Sequence, residues 1–253
     1  MIQATSPRTV LVTGASRGIG RAIALGLAQR GFDVVANDIE RQAAHLDGLV
    51  SEIEGLGRRA FALHADVSDK AQVTAMARAA IERAGAIDAV VNNAGILITS
   101  PVETLDDGVW DAVMDVNAKG TFLVIQALLP HMRARGYGRI VNIASIGGKQ
   151  GAPEQAHYSA SKAAVMGFTR VLAQEVGALG ITANCVCPGI ILTDMGRTNL
   201  EDPSVKAKWT ANTAMRRIGA PEDVVGPVAF FASDESAFVT GQTLNVDGGI
   251  VFD

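Results

Sequence analysis

Short β-branched runs alternate along the chain with longer stretches whose apolar residues recur every three or four positions. The runs are Thr9–Thr13, Asp33–Asn37, Arg59–His64, Ile87–Asn92, Arg139–Ala144, Ile181–Cys187 and Gln242–Val246. Ile19, Ile23 and Leu27 carry the helical spacing in the first intervening stretch. Five helical stretches end in glycine just before the next strand, at Gly31, Gly57, Gly85, Gly136 and Gly180. Each suits the left-handed position that closes a helix, where a residue without Cβ is free of strain. The strand segments VLVT, VVA and AVV lack polar alternation, which marks strands buried on both faces by helices. Right-handed crossovers then predict a doubly wound α/β fold with a parallel sheet of about seven strands, ordered 3-2-1-4-5-6-7. No linker, charge block or low-complexity segment divides the chain, so residues 1–253 read as one domain.

Composition narrows the function classes. A chain of 253 residues buries roughly three-quarters of its unfolded surface, so it needs no disulfide or metal staple. Apolar residues at 48% and charged residues at 19% exclude a disordered chain. A net charge of −4 argues against nucleic acid or an anionic membrane as partner. Cys185 and Cys187, two residues apart, are expected to point to opposite faces of a strand and to stay unbridged, which suits a reducing cytoplasm. The N-terminus shows no charged segment followed by an apolar run. The longest uncharged stretch, from Val176 to Thr193, is interrupted by Asn184 and Pro188 and is not a membrane span. His45, His64, His131 and His157 are scattered without metal-ligand spacing, so no metal site is expected.

Thr13-Gly14-Ala15-Ser16-Arg17-Gly18-Ile19-Gly20 falls where the first strand turns into the first helix. Gly14 and Gly18 would let the backbone approach a pyrophosphate facing the helix N-terminus, and Gly20 would let the helix pack closely on the strand. The spacing Gly-x3-Gly-x-Gly departs from GxGxxG, so a plain glycine-rich turn competes with this reading. Asp38, twenty residues past Gly18, ends the second strand, where a carboxylate can bond adenosine ribose hydroxyls. A solvated loop aspartate is the bland alternative. The two features together predict a dinucleotide site.

Tyr158 and Lys162 are four residues apart and share one helix face. A phenol titrates near ~10 and is a poor base at neutral pH, but a nearby cation favours phenolate. A surface Tyr–Lys pair is common, so its company decides. Ser145 ends the fifth strand, and Asn92-Asn93-Ala94-Gly95 ends the fourth on the same edge, where doubly wound sheets bind ligands. Asn117 is a polar amide inside the apolar helical stretch Val109–Gln126, for a ligand or to satisfy neighbouring backbone. His157 is expected to pack or to rim the pocket rather than act as a second base.

These motifs, with Asp66-Val67, Pro188-Gly189 followed by Thr193, and Asp247-Gly248-Gly249, stand in the order of the short-chain dehydrogenase/reductase family. The chain resembles the single-domain, Rossmann-like form of that family from Thr9 to about Asp253. The resemblance implies hydride exchange between a nicotinamide cofactor and a small alcohol or ketone. In it Tyr158 is the acid/base, Lys162 lowers the Tyr158 pKa and bonds the nicotinamide ribose, and Ser145 holds the substrate oxygen. Asn117 anchors a water relay through Lys162. The cofactor residues it implies are Gly14, Ser16, Arg17, Gly18, Ile19, Gly20, Asp38, Asp66, Val67, Asn93, Ala94, Gly95, Tyr158, Lys162, Pro188, Gly189, Ile191 and Thr193. It also implies a homotetramer, with the Ser145–Leu179 region and the last strand at interfaces.

Asp38 favours NAD over NADP, against the opposing evidence of Arg17 and Arg41. Substrate walls are expected at residues 147–156 and in a lid-like run, 190–214, whose polar residues include Asp194, Arg197, Thr198 and Asn199. Gln150, Glu154 and Gln155 suggest a polyol, sugar or small diol. The alternative is a 3-oxoacyl-thioester (acyl-carrier-protein) reductase using NADPH. The intact Ser, Tyr and Lys set counts against a relative that has lost turnover. Only about sixty residues follow Thr193, too few for the substrate domain of the extended, nucleotide-sugar relatives.

Overall fold

The computed structural model describes residues 7–193 and 202–252. Its strands are β1 (Thr9–Thr13), β2 (Asp33–Asp38), β3 (Ala60–His64), β4 (Ala89–Asn92), β5 (Gly138–Ile143), β6 (Ile181–Pro188) and β7 (Thr243–Val246). They form one parallel sheet in the order β3-β2-β1-β4-β5-β6-β7, as the sequence predicts. The helices are α1 (Gly18–Ala28), α2 (Ala43–Gly55), α3 (Lys70–Ala84), α4 (Asp107–Met114), α5 (Gly120–Arg135), α6 (Gly147–Gln150), α7 (Ala156–Val176), α8 (Pro203–Asn212) and α9 (Pro221–Phe231).

Strand alternation sends β1 side chains to both layers. Val10 and Val12 meet Ile23, Leu46 and Val224 from α1, α2 and α9. Leu11 meets Met76, Leu128 and Leu172 from α3, α5 and α7. Both faces are therefore covered, which is why these strands carry no polar alternation. All five helix-closing glycines have positive φ, between 64° at Gly136 and 93° at Gly31. The strand order reverses between β1 and β4, and the crevice that opens at such a reversal lies beyond the carboxyl ends of the strands.

Three details depart from expectation. The fourth strand begins at Ala89 rather than Ile87 because side chains take the Ile87 backbone. Its N–H donates to His131 Nε2 at 3.2 Å and its carbonyl accepts from Arg135 Nη1 at 3.2 Å. Cys185 and Cys187 lie on the same face, since residues i and i+2 of a strand share one. Both are buried free thiols facing α7, with Cys185 Sγ 3.1 Å from Thr169 Oγ1 and Cys187 Sγ 3.7 Å from Met166 Sδ. The helical stretch predicted around Asn117 runs continuously from Asp107 to Arg135 and carries a π-turn at Asp115–Lys119, closed by the Gly120 N–H on the Asp115 carbonyl. That helix is long and apolar enough to cross a membrane. Its inner face, with Leu123, Val124, Leu128 and Met132, is packed into the core.

Candidate active site

At the carboxyl edge, the ends of β1 and β4 are clamped together. Thr13 Oγ1 accepts from the backbone N–H groups of Asn93 and Ala94, both at 3.1 Å, and Asn93 Nδ2 donates to the Thr13 and Gly14 carbonyls, both at 3.0 Å. This clamp dictates the glycines. Gly14 has φ +63° and a Cβ there would lie 2.9 Å from Ala94 Cα. A Cβ on Gly20 would lie 2.1 Å from the Gly14 carbonyl oxygen and 2.4 Å from Asn93 Nδ2. Gly20 thus makes room for the clamp, rather than for helix-on-strand packing as the spacing suggests. Among the described residues no side chain caps the N-terminus of α1 and no acid sits in its first turn, which leaves its N–H groups and dipole for an anion.

Asp38 is held at the end of β2. Its Oδ2 accepts from Ser16 Oγ at 2.6 Å and Ser16 N at 3.2 Å, and its Oδ1 accepts from Ile39 N at 2.8 Å. Neither Arg17 nor Arg41 forms an ion pair with it among the described residues; both line the same cavity.

That cavity, of about 470 Å³, runs from the glycine loop past Asp38, Asp66 and Val67 to Ser145, Tyr158, Lys162 and the Pro188–Thr193 segment. Every predicted site residue lines it except Ser16 and Asn117, which are buried behind it. Ser16 acts through Asp38. The Asn117 amide is occupied by protein: Oδ1 accepts from Ile96 N at 2.8 Å, and Nδ2 donates to the Ile96 carbonyl at 3.0 Å and to Ser161 Oγ at 3.1 Å. It ties the loop after β4 to α7, the backbone-satisfying role the sequence left open.

The chemical groups converge from two elements. Ser145 follows β5, and its Oγ accepts from Gly147 N at 3.0 Å. The Ser145 hydroxyl is also near enough to the Tyr158 phenol to favour its ionised form. Lys162 Nζ, one turn along α7, donates to the Ile143 carbonyl at 2.9 Å and lies 5.7 Å from the centre of the Tyr158 ring. Burial dominates both titrations. It raises the Tyr158 phenol above its usual value, opposed in part by the nearby Ser145 hydroxyl, and it lowers the Lys162 ammonium to about 8. In the protein alone, desolvation of the phenolate is the largest influence on Tyr158; the lowering expected of Lys162 is one it exerts together with a charged nicotinamide. Arrayed this way, two hydroxyls beside a buried cation can both reach a single oxygen placed in the cavity.

The substrate walls are only partly those expected. Gln155 lines the cavity, whereas Gln150 and Glu154 are exposed and do not. Glu154 has φ +62° and its carbonyl accepts from Ser100 N at 2.8 Å, so it serves the loop backbone. His157 is fully buried, a packing residue and not part of the rim. Asp194, Arg197, Thr198 and Asn199 lie outside the described residues. Trp209, on α8, lines the cavity from within the expected 190–214 wall, where the sequence does not single it out. Asp202 capping Ser204 N at 2.7 Å, with Pro203 in the first turn, is the helix-start signal that places it there.

A family model described as enoyl-(acyl carrier protein) reductase matches residues 14–251. The 3-oxoacyl-[acyl-carrier-protein] reductase FabG of Staphylococcus epidermidis is 40% identical over 243 residues, covering 96% of this chain and 98% of that one. FabG of Thermotoga maritima is 41% identical, with the same coverage of each chain. A crystal structure of a candidate gluconate dehydrogenase from Agrobacterium tumefaciens superposes with a TM-score of 0.92 at 35% identity, over 96% of this chain and 95% of the other. A candidate short-chain alcohol dehydrogenase from Sinorhizobium meliloti 1021 gives 0.93 at 38% identity, over 97% of each chain.

The Lys162 ammonium is expected to titrate at about 8. In the interval between that value and the ordinary lysine pKa the unfolded chain binds the extra proton, so this group's contribution to stability rises with pH there. NMR of lysine labelled at Cε, with Lys162→Met to assign the signal, measures it. An unshifted lysine titration would contradict the burial described.

Proposed function

The chain belongs to the short-chain dehydrogenase/reductase family and is an oxidoreductase of CH–OH and carbonyl groups; from this we propose that it reduces the ketone of a 3-oxoacyl thioester with a nicotinamide cofactor. The observation that carries the proposal is the convergence of Ser145, Tyr158 and the buried Lys162 on one cavity, in a chain whose full-length relatives bear that activity in their names. The polyol reading loses two of its three supporting side chains, since Gln150 and Glu154 are exposed. It keeps one support, the likeness to a candidate gluconate dehydrogenase, and stands as the second reading.

The cavity suits a dinucleotide, with positive-φ glycines where a Cβ would strain or clash, free N–H groups at α1, and Asp38 at the ribose end. When bound in reduced form, the nicotinamide supplies the hydride. Ser145 Oγ and the Tyr158 phenol bond the ketone oxygen and orient it. Burial keeps the phenol protonated at neutral pH, so it is set to give a proton to the oxygen as negative charge develops there. Lys162 would stabilise the phenolate that remains and is placed to hold the cofactor's ribose hydroxyls. Asn117 fixes the Ile96 backbone that borders this space. Tyr158→Phe keeps the ring and removes the proton, so reduction of acetoacetyl thioester should fall at least ~10²-fold with cofactor binding kept. Wild-type turnover by the variant would refute the role. Activity of the wild type on gluconate-like polyols alone would replace the thioester reading with the second one.

We further propose NAD in preference to NADP. A 2′-phosphate would set negative charge against the fixed Asp38 carboxylate, and two unit charges ~4 Å apart at an effective dielectric near ~20 repel by about 4 kcal/mol before relaxation. Arg17 and Arg41 line the cavity without neutralising Asp38. The expected preference is ~10-fold or more in kcat/KM, about 1.4 kcal/mol, and Asp38→Ala should lose much of it. A wild type that prefers NADP would assign the site to the arginines.

A homotetramer completes the proposal. Phe122 meets Phe168 edge-on at 6.1 Å, with Val171 exposed beside this α5–α7 face, and Phe238, Leu244 and Phe252 are exposed around β7. Light scattering should give four times the chain mass; a monomer mass would contradict it.

A further inference from the structure

One row of polar side chains crosses the otherwise apolar floor beneath α7. Asn92 of β4, Asn142 of β5 and Cys185 of β6 are cross-strand partners in register. Asn92 Nδ2 donates to Asn142 Oδ1 at 2.8 Å, and Asn142 Nδ2 donates to Thr169 Oγ1 at 2.8 Å. Cys185 Sγ lies 3.1 Å from the same Thr169 oxygen, which donates to the Val165 carbonyl at 2.7 Å. The row therefore converges on one hydroxyl of the catalytic helix, and that hydroxyl uses its whole hydrogen-bonding capacity. Asn92, Asn142, Thr169 and Cys185 are all buried, and the residues around them on α7, Val165, Met166, Leu172 and Ala173, are apolar.

Resting on the reading of Ser145, Tyr158 and Lys162 given above, we propose that Thr169 is a positioning residue that sets the register of α7 against the end of β5. Thr169 lies seven residues beyond Lys162 and eleven beyond Tyr158, close to whole turns in both cases, so all three share one helix face. Asn142 lies three residues before Ser145. The Asn142–Thr169 bond and the Lys162–Ile143 bond thus join the same helix to the same strand at two heights. Apolar burial is non-directional, so it fixes the height of a helix along a sheet face less sharply than a hydrogen bond does. A buried directional bond penalises any slide, because it would leave the Asn142 Nδ2 donor without its partner. Sliding α7 would carry the Tyr158 oxygen away from Ser145, and displacements of about 1 Å at reacting groups lose as much as ~10²-fold in rate.

The test compares Thr169→Val, which is nearly the same shape without the hydroxyl, with Thr169→Ser, which keeps it. Leu172→Ala, on the same helix, reports what mere destabilisation does. Steady-state reduction of acetoacetyl thioester, its pH profile, cofactor Kd by fluorescence and thermal melting are measured for each. Thr169→Val should lose at least ~10-fold in kcat with little change in cofactor Kd, and its pH profile should shift, the signature of lost transition-state geometry. Thr169→Ser should restore both, and Leu172→Ala should melt earlier with kcat and pH profile kept. If Thr169→Val does not fold, Thr169→Ala takes its place in the same comparison. Wild-type kcat in the hydroxyl-free variant, or a loss matched by Leu172→Ala, overturns the proposal. A wild type inactive on the thioester would instead end the substrate reading, and the comparison would proceed with whichever alcohol or ketone it does turn over.

Discussion

Lys162 donates to the carbonyl of Ile143 at the very end of β5, and the chemistry proposed for this protein depends on that bond. A buried ammonium needs a partner, because an uncompensated charge in an apolar interior is expensive. A parallel sheet supplies one, since the last carbonyls of its strands all open toward one edge. The bond brings the cation to the same edge as Ser145 and, one helical turn away, Tyr158. It also explains the fall of the ammonium to about 8, because a single carbonyl cannot replace the hydration that burial removes. Site and fold are in this sense one arrangement. The crossover that covers the sheet with α7 also delivers the lysine to the strand end.

The surrounding contacts divide between those that hold the pocket open and those that face into it. Asn93, Thr13 and Gly20 belong to the first group, as parts of a clamp between β1 and β4. Ser16 and Asn117 do as well, the one bracing Asp38 and the other bracing Ile96. Asp38, Ser145, Tyr158 and Lys162 face inward, and their orientation is set by these braces. Thr13, Ser16 and Asn117 lie outside the cavity lining, so substitutions there should act through the residues they brace, whereas Gly20 and Asn93 both brace the wall and form part of it.

The sheet order and both helical layers were legible in the sequence, and the family resemblance supplied much of the cavity lining, though not Ile39, Ala65, Ile96, Leu97 or Val116. Hydrophobic runs without alternation, glycines at helix ends and polar residues at strand ends are local consequences of a parallel sheet. What sequence could not show were contacts between distant segments. Ile87 looks like strand, but His131 and Arg135 arrive from α5 to take its backbone. Gly20 looks like a helix-packing glycine, and only the position of Asn93 reveals the clamp. Gln150, Glu154 and Gln155 look equivalent in a polar loop. A left-handed backbone at Glu154 and the start of α7 at Ala156 leave Gln155 on the cavity wall and the other two exposed. The two cysteines were misplaced by a simpler error of strand periodicity, which alternate residues of β6 correct.

Transfer of hydride to a ketone carbon is the central claim, and isotopic labelling reads it directly. Acetoacetyl thioester is incubated with the protein and reduced nicotinamide cofactor carrying deuterium on the transferable face of its ring, and the product is analysed by mass spectrometry and NMR. The account predicts a 3-hydroxy thioester with a single deuterium bonded to C3. A 3-hydroxy product without deuterium at C3, or no conversion while another alcohol or ketone exchanges the label, would contradict it.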